Sequence, residues 1–184
     1  MAIYVSLLRG VNVGGHRKVR MAKLTDLYSS LGLSNVRSYL QSGNLVFESQ
    51  ETDRAQIVAL LETEIEGFLG YPVTVILRDA ADFQRIYHHN PFSTTRNENP
   101  KKLHVMFLAN QSSTTYLDRL TIPDNVPDEF SVAGPEIYLF YPNGAGRSKL
   151  SSAFFERNLK VETTTRNWNT ISALYKMTKR SIDR

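Results

Sequence analysis

Residues 36–48, VRSYLQSGNLVFE, decide the fold. Two short β-rich runs, Val36 to Leu40 and Asn44 to Glu48, flank Gln41-Ser42-Gly43, so the stretch reads as a hairpin. Upstream, Ala2 to Leu8 (AIYVSLL) is an apolar run bounded by Arg9-Gly10, a buried strand. Between that strand and the hairpin, Met21, Leu24, Leu27, Tyr28 and Leu31 recur at helical spacing, with Gly32 as a stop. Downstream, Asp53 stands where a cap belongs, ahead of an apolar face of Ile57, Leu60, Leu61, Ile65 and Phe68. Pro72 to Arg78 then alternates as a strand. The order is β-α-β-β-α-β within 78 residues, the split β-α-β or ferredoxin-like pattern.

The pattern then restarts. Asp79 to His89 reads as a connecting helix, and Asn90 to Pro100 (NPFSTTRNENP) as a proline-bounded linker. Leu103 to Leu108 is a strand and Thr114 to Leu120 a short helix. Glu129 to Val132 and Glu136 to Tyr141 flank Ala133-Gly134-Pro135, a second hairpin. Leu150 to Asn158 is a helix, Val161 to Thr165 a threonine-rich strand, and Asn169 to Lys179 a final helix. The expected fold is α+β: two ferredoxin-like (α/β-plait) modules with antiparallel sheets, plus a C-terminal helix. The modules are expected at 1–78 and 101–184, joined by a connecting segment at 79–100. Element order alone carries the duplication; no residue-level repeat stands out.

Composition narrows the function classes. Of 184 residues, 41% are hydrophobic and 22% charged, enough to bury a core. The absence of cysteine excludes disulfides, zinc–thiolate sites, iron–sulfur clusters and a thiol nucleophile. No apolar run approaches the ~18 residues a membrane span needs. The start, MAIYVSLLRG, lacks a basic leader and a cleavage site, so a cytoplasmic location is expected. The net charge is +4, but it is unevenly spread. Residues 1–50 carry six basic and two acidic residues, 51–146 seven and thirteen, and 147–184 nine and three. Two distant basic segments suit nucleic acid or small phosphates, and also serve plain solubility.

Topology brings distant motifs together. In the split pattern the loop after strand one and the hairpin between strands two and three lie at the same end of the sheet. In the first module these are Arg9-Gly10-Val11-Asn12-Val13-Gly14-Gly15-His16 and Gln41-Ser42-Gly43-Asn44. The first runs on into Arg17, Lys18, Arg20 and Lys23. Glycines let backbone N–H groups approach a ligand, and the helix start near Met21 adds its positive end. Arg9, Gly10, Asn12, Gly14, Gly15, His16, Lys18, Gln41, Ser42 and Asn44 are therefore candidate ligand contacts. Gly14 or Gly15 is expected at positive φ, and Gln41 and Asn44 within reach of the Arg9–His16 loop.

In the second module the informative parts fall at the other end. They are Pro142-Asn143-Gly144-Ala145-Gly146-Arg147-Ser148-Lys149-Leu150-Ser151 and the end of strand four, Thr165-Arg166-Asn167-Trp168-Asn169-Thr170. Arg147, Lys149, Arg166 and Asn167 are the candidate contacts there. The loop has neither the P-loop spacing nor G-x-G-x-x-G. Ser151 and Asn169 also read as helix caps, and Trp168 as packing.

The remaining chemistry is thin. His88 and His89 are adjacent and chelate poorly, and His104 lies in an apolar strand. His16 sits in a candidate loop as an acid–base group without a visible carboxylate partner. Glu62, Glu64 and Glu66 make a solvated face. No metal or cofactor is expected and no nucleophile stands out, so the sequence leaves open whether the protein is an enzyme. The favoured reading is a protein binding a phosphorylated small molecule or nucleotide through glycine-rich basic loops. Two alternatives stand beside it: an RNA-binding module, which needs outward aromatic residues among Tyr4, Phe47, Phe107, Tyr138 and Phe140, and a protein-interaction scaffold.

Residues 7–24 (LLRGVNVGGHRKVRMAKL) with 39–48 (YLQSGNLVFE) closely resemble the bacterial family catalogued as domain of unknown function 1697. Tyr138 to Leu150 (YLFYPNGAGRSKL) and Thr164 to Leu174 (TTRNWNTISAL) are similar to that family's C-terminal signatures. The resemblance implies two α/β-plait modules and brings no established activity. Where the family usually has proline, this chain has Arg20, which loosens the entry to the first helix and adds a charge beside the loop.

Overall fold

A computed structural model describes residues 1–14, 18–122 and 124–179. Two compact units emerge: Met1–Arg85 together with the stretch from Ala173 onward, and Ile86–Ser172.

In the first unit β1 (Ala2–Leu8) is followed by α1 (Met21–Ser30), β2 (Ser34–Ser38), β3 (Asn44–Ser49), α2 (Arg54–Leu69) and β4 (Val75–Asp79). The strands form one antiparallel sheet in the order β2-β3-β1-β4. Strand one thus lies between three and four. Alternation along β1 and β3 sends Tyr4, Leu8, Leu45 and Phe47 to the face that α1 and α2 cover with Leu24, Tyr28, Ile57, Leu61 and Ile65. Truncating a residue such as Leu61 in this cluster would cost about 2–5 kcal/mol. A polar pair in that layer is satisfied internally, Ser6 Oγ and Tyr28 OH sharing a hydrogen bond of 3.0 Å. Asp53 caps α2, accepting from the Ala55 amide at 2.8 Å. Its carboxyl is held below the usual range by those amide bonds.

α3 (Ala80–His88) follows, then α4 (Pro91–Thr94), a short helix inside the stretch read as linker. Its start is built from Asn90, whose side chain accepts from the Phe92 amide at 3.0 Å, and Pro91, which needs no donor there. The second unit repeats the order: β5 (Leu103–Leu108), α5 (Thr114–Asp118), β6 (Glu129–Ala133), β7 (Glu136–Phe140), α6 (Ser152–Leu159) and β8 (Thr163–Asn167). The sheet is antiparallel in the order β6-β7-β5-β8. Met106, Leu108, Ile137, Leu139, Phe155 and Leu159 form its core under α6. α7 (Trp168–Lys179) is the last element among the described residues.

The duplication reaches the residue level. Leu8 N donates to Gly43 O at 2.8 Å, and Leu108 N to Pro135 O at 2.9 Å. Val5 pairs with Arg78, and Val105 with Arg166. Each of these arginines donates from Nη1 to the carbonyl of its predecessor, Leu77 and Thr165, at 2.9 Å. The next residue caps the following helix in both units. Asp79 Oδ1 accepts from the Asp82 amide at 2.8 Å, and Asn167 Oδ1 from the Thr170 amide at 2.9 Å.

Candidate functional site

β1 ends at Leu8, and the β2–β3 hairpin lies against that end. Gly43 (φ +73) makes the approach possible: a Cβ there would stand 2.5 Å from Val11 Cγ2 and 2.7 Å from Leu8 Cβ. The loop leaving β1 turns at Gly10, Asn12 and Gly14, all at positive φ. Asn12 then closes it. Its Oδ1 accepts from Val19 N at 2.7 Å, while Nδ2 donates to Val19 O at 3.0 Å and to Gln41 O at 2.6 Å. One side chain therefore pairs with Val19 as a neighbouring strand would, and ties the loop to the hairpin. Asn44, fully buried, does the same work inside the hairpin, donating from Nδ2 to Tyr39 O and to Ser42 Oγ, both at 2.9 Å. The two glycine- and amide-rich loops do share one end of the sheet. Gly15 and His16 lie outside the described residues.

Beside this junction lies an open depression of about 690 Å³, between the first turns of α1 and the end of β2. Arg20, Thr25, Asp26, Arg37, Ser38 and Gln41 line it, together with Met21 and Ala22 of the first helical turn. Arg20 is the N-cap residue of α1, and no side chain among the described residues caps that helix. The backbone amides of Met21 and Ala22 thus stand at its positive end. Arg37 is anchored by its Nη2, which donates to Met177 O at 3.1 Å. The wall carries two guanidiniums and one carboxylate, and exposed Lys18 follows in the same loop.

Sequence reasoning missed Arg37, and it weighed Arg20 only as a charge near the loop. Arg37 did leave a signal: it is the sole charged residue between Asp26 and Glu48. Of the expected contacts, Gln41 lines the depression. Asn12 and Asn44 instead build the loops that border it, through the side-chain bonds just described. Arg9 is partly buried, its amide bonded to Thr74 O at 3.0 Å.

In the second unit, the loop after β7 and the end of β8 meet beside the start of β5. Tyr141 N donates to Lys102 O at 2.9 Å, and His104 pairs with Asn167. Tyr141 OH donates to Leu150 O at 2.9 Å, Ser148 Oγ to Asp128 Oδ2 at 2.6 Å, and Leu150 N to Ser148 Oγ at 2.9 Å. Ser151 caps α6, accepting from Phe154 N at 3.3 Å. These bonds hold the loop, and Arg147 and Lys149 project from it into solvent.

Arg166 and Asn167 each bond to groups of the fold. Arg166 is 7% exposed, and besides its bond to Thr165 O it donates to Thr164 Oγ1 at 2.7 Å. Burial pushes its guanidinium down to about 10. Strand β8 runs two residues further than the sequence pattern suggested, so alternation turns Arg166 inward and makes Asn167, not Asn169, the cap of α7. Trp168 packs as expected, stacked on Tyr87 at 5.5 Å with the rings 6° from parallel. His104 lies edge-on to Tyr141 at 5.1 Å, and burial holds its imidazole below the ordinary value. Among the described residues, no group of three or more His, Asp or Glu side chains could hold a metal ion, and no helix is long and apolar enough to cross a membrane.

A sequence model of a family described as protein of unknown function (DUF1697) matches residues 1–138. The chain is also similar to the solved structure of the conserved bacterial protein SP0830 from Streptococcus pneumoniae. That protein is 25% identical, with a TM-score of 0.72 over 97% of this chain and 99% of the other. No curated protein matches.

Proposed function

The chain belongs to the DUF1697 family of proteins of unknown function, and from its own residues we propose that it binds a phosphate-bearing small molecule, a nucleotide or a phosphorylated metabolite, in the cytoplasm. The observation that carries this reading is the convergence of Arg20 and Arg37 on one depression at the start of α1. A phosphate placed there meets two guanidiniums, which bind it by charge-assisted and bidentate hydrogen bonds. The first-turn amides of α1 add donors with the dipole aligned. Gln41 and Ser38 supply neutral polar groups for orientation. Asp26, on the same wall, opposes the anion and favours a ligand that also carries a donor. The proposal is one of binding.

The RNA reading is weaker on the same evidence. Tyr4, Phe47, Phe107, Tyr138 and Phe140 are all buried, and a stacking platform needs exposed rings. Thermal-shift screening of nucleotides and phosphorylated metabolites tests the proposal. A ligand at 100 times its dissociation constant adds about 2.7 kcal/mol to stability. Shifts that vanish in an Arg20→Ala, Arg37→Ala double variant support the site, and no shift across a millimolar panel refutes it.

A further inference from the structure

Leu40 is 57% exposed and stands at φ +58. A branched aliphatic residue in the left-handed region is strained, and an exposed one forgoes the burial that would offset the strain. Glycine or asparagine would relieve both. Its conformation is nevertheless fixed from each side. The carbonyl before Leu40, Tyr39 O, accepts from Asn44 Nδ2 at 2.9 Å, and the carbonyl after it, Gln41 O, accepts from Asn12 Nδ2 at 2.6 Å. Two asparagines, Asn44 of the same hairpin and Asn12 of the loop after β1, therefore hold the carbonyls to either side of an outward leucine. Val13, the neighbour of Asn12, is 63% exposed. The contact that joins the loops thus sets an exposed apolar residue one position to either side of itself. Leu40 also falls between Ser38 and Gln41, which both line the depression that holds Arg20 and Arg37.

We infer that Leu40, with Val13, forms the apolar half of this site, contacting the organic group of a phosphate monoester whose phosphate lies against Arg20 and Arg37. The ligand class narrows accordingly, from any phosphorylated metabolite to esters bearing a flat or aliphatic apolar group, nucleotides among them. This inference rests on the phosphate-binding reading above. Physical economy favours it: a strained leucine that is more than half exposed gains further contacts when something covers it.

Calorimetric titration with inorganic phosphate, glycerol phosphate and phenyl phosphate tests it, in the full chain and in Leu40→Asn and Leu40→Gly variants. The wild type is expected to bind phenyl phosphate about ten-fold or more tightly than glycerol phosphate, the scale of one buried apolar contact. Both variants are expected to lose that preference, keep their affinity for inorganic phosphate, and melt at or above the wild-type temperature, because their backbone strain is relieved. Equal wild-type affinity for the two esters overturns the inference, as does a preference that survives in Leu40→Asn and Leu40→Gly. Variants that melt well below the wild type assign Leu40 to the fold and overturn it too. Binding of all three compounds without preference, abolished by Arg20→Ala, leaves the phosphate site standing. Binding of none removes the site and the inference together.

Discussion

Asn12 pairs with Val19 through both its side-chain atoms, at 2.7 and 3.0 Å, and so replaces a strand that the loop does not have. Asn12 also donates to Gln41 O at 2.6 Å, which ties it to the β2–β3 hairpin. Asparagine suits the position doubly: it offers donor and acceptor together, and it tolerates the left-handed conformation, here φ +55.

Replacing Asn12 with alanine leaves the amide of buried Val19 without its side-chain acceptor. The expected loss of stability is about 1–3 kcal/mol. Asn12→Asp is expected to be at least as harmful, because a carboxylate would face two carbonyl oxygens. Thermal unfolding measures both.

Gly43→Ala and Gly14→Ala separate crowding from strain. Both glycines have positive φ, but an added Cβ meets Val11 and Leu8 at Gly43 and nothing within 4 Å at Gly14. Gly14→Ala is expected to cost about 1 kcal/mol from backbone conformation alone. Gly43→Ala should add about 1–3 kcal/mol of overpacking to that. Chemical denaturation of the two variants reads the difference directly.

Arg166→Ala is expected to destabilise by about 2 kcal/mol or more, since it opens a buried space and strips Thr164 and Thr165 of a charged donor. Arg147→Ala and Lys149→Ala should each stay within about 0.5 kcal/mol of the wild type, as solvated side chains do. Denaturation midpoints of the three variants distinguish a buried sheet arginine from surface cations.

His104 gives a dependence on pH. Its folded-state value lies below the ordinary 6.5, chiefly because burial disfavours the imidazolium. Between those values the unfolded chain binds more protons than the folded one, so stability rises with pH across that window and falls on acidification below about 6.5. His104→Gln should flatten that limb. A melting-temperature profile from pH 7.5 to 5 in both proteins checks the sign.

Element order was legible because the apolar period changes cleanly, from two in Pro72–Arg78 to helical spacing in Ile57–Phe68. Boundaries were less so. Polar Thr163–Asn167 offers little hydrophobic contrast, so the extension of β8 through Asn167 was invisible, and Arg166 was read as a ligand contact. The residue-level repeat of Arg78-Asp79 in Arg166-Asn167 escaped notice for the same reason: both dipeptides serve their sheets through backbone carbonyls and helix amides, roles that leave no hydrophobic signature. Placing the loop and hairpin at one end needed only topology. Arg37 left one signal, its isolation between Asp26 and Glu48, but a single cation on a short strand reads first as a solvated residue.

Isothermal titration of phenyl phosphate at low ionic strength, into the wild type and two double variants, tests the phosphate site most directly. Arg20→Ala with Arg37→Ala is expected to weaken binding by about ten-fold or more, the loss of charge-assisted hydrogen bonds to the phosphate. Arg147→Ala with Lys149→Ala is expected to bind as the wild type does. Unchanged affinity in the first double variant, or a loss confined to the second, would contradict a phosphate site at the start of α1.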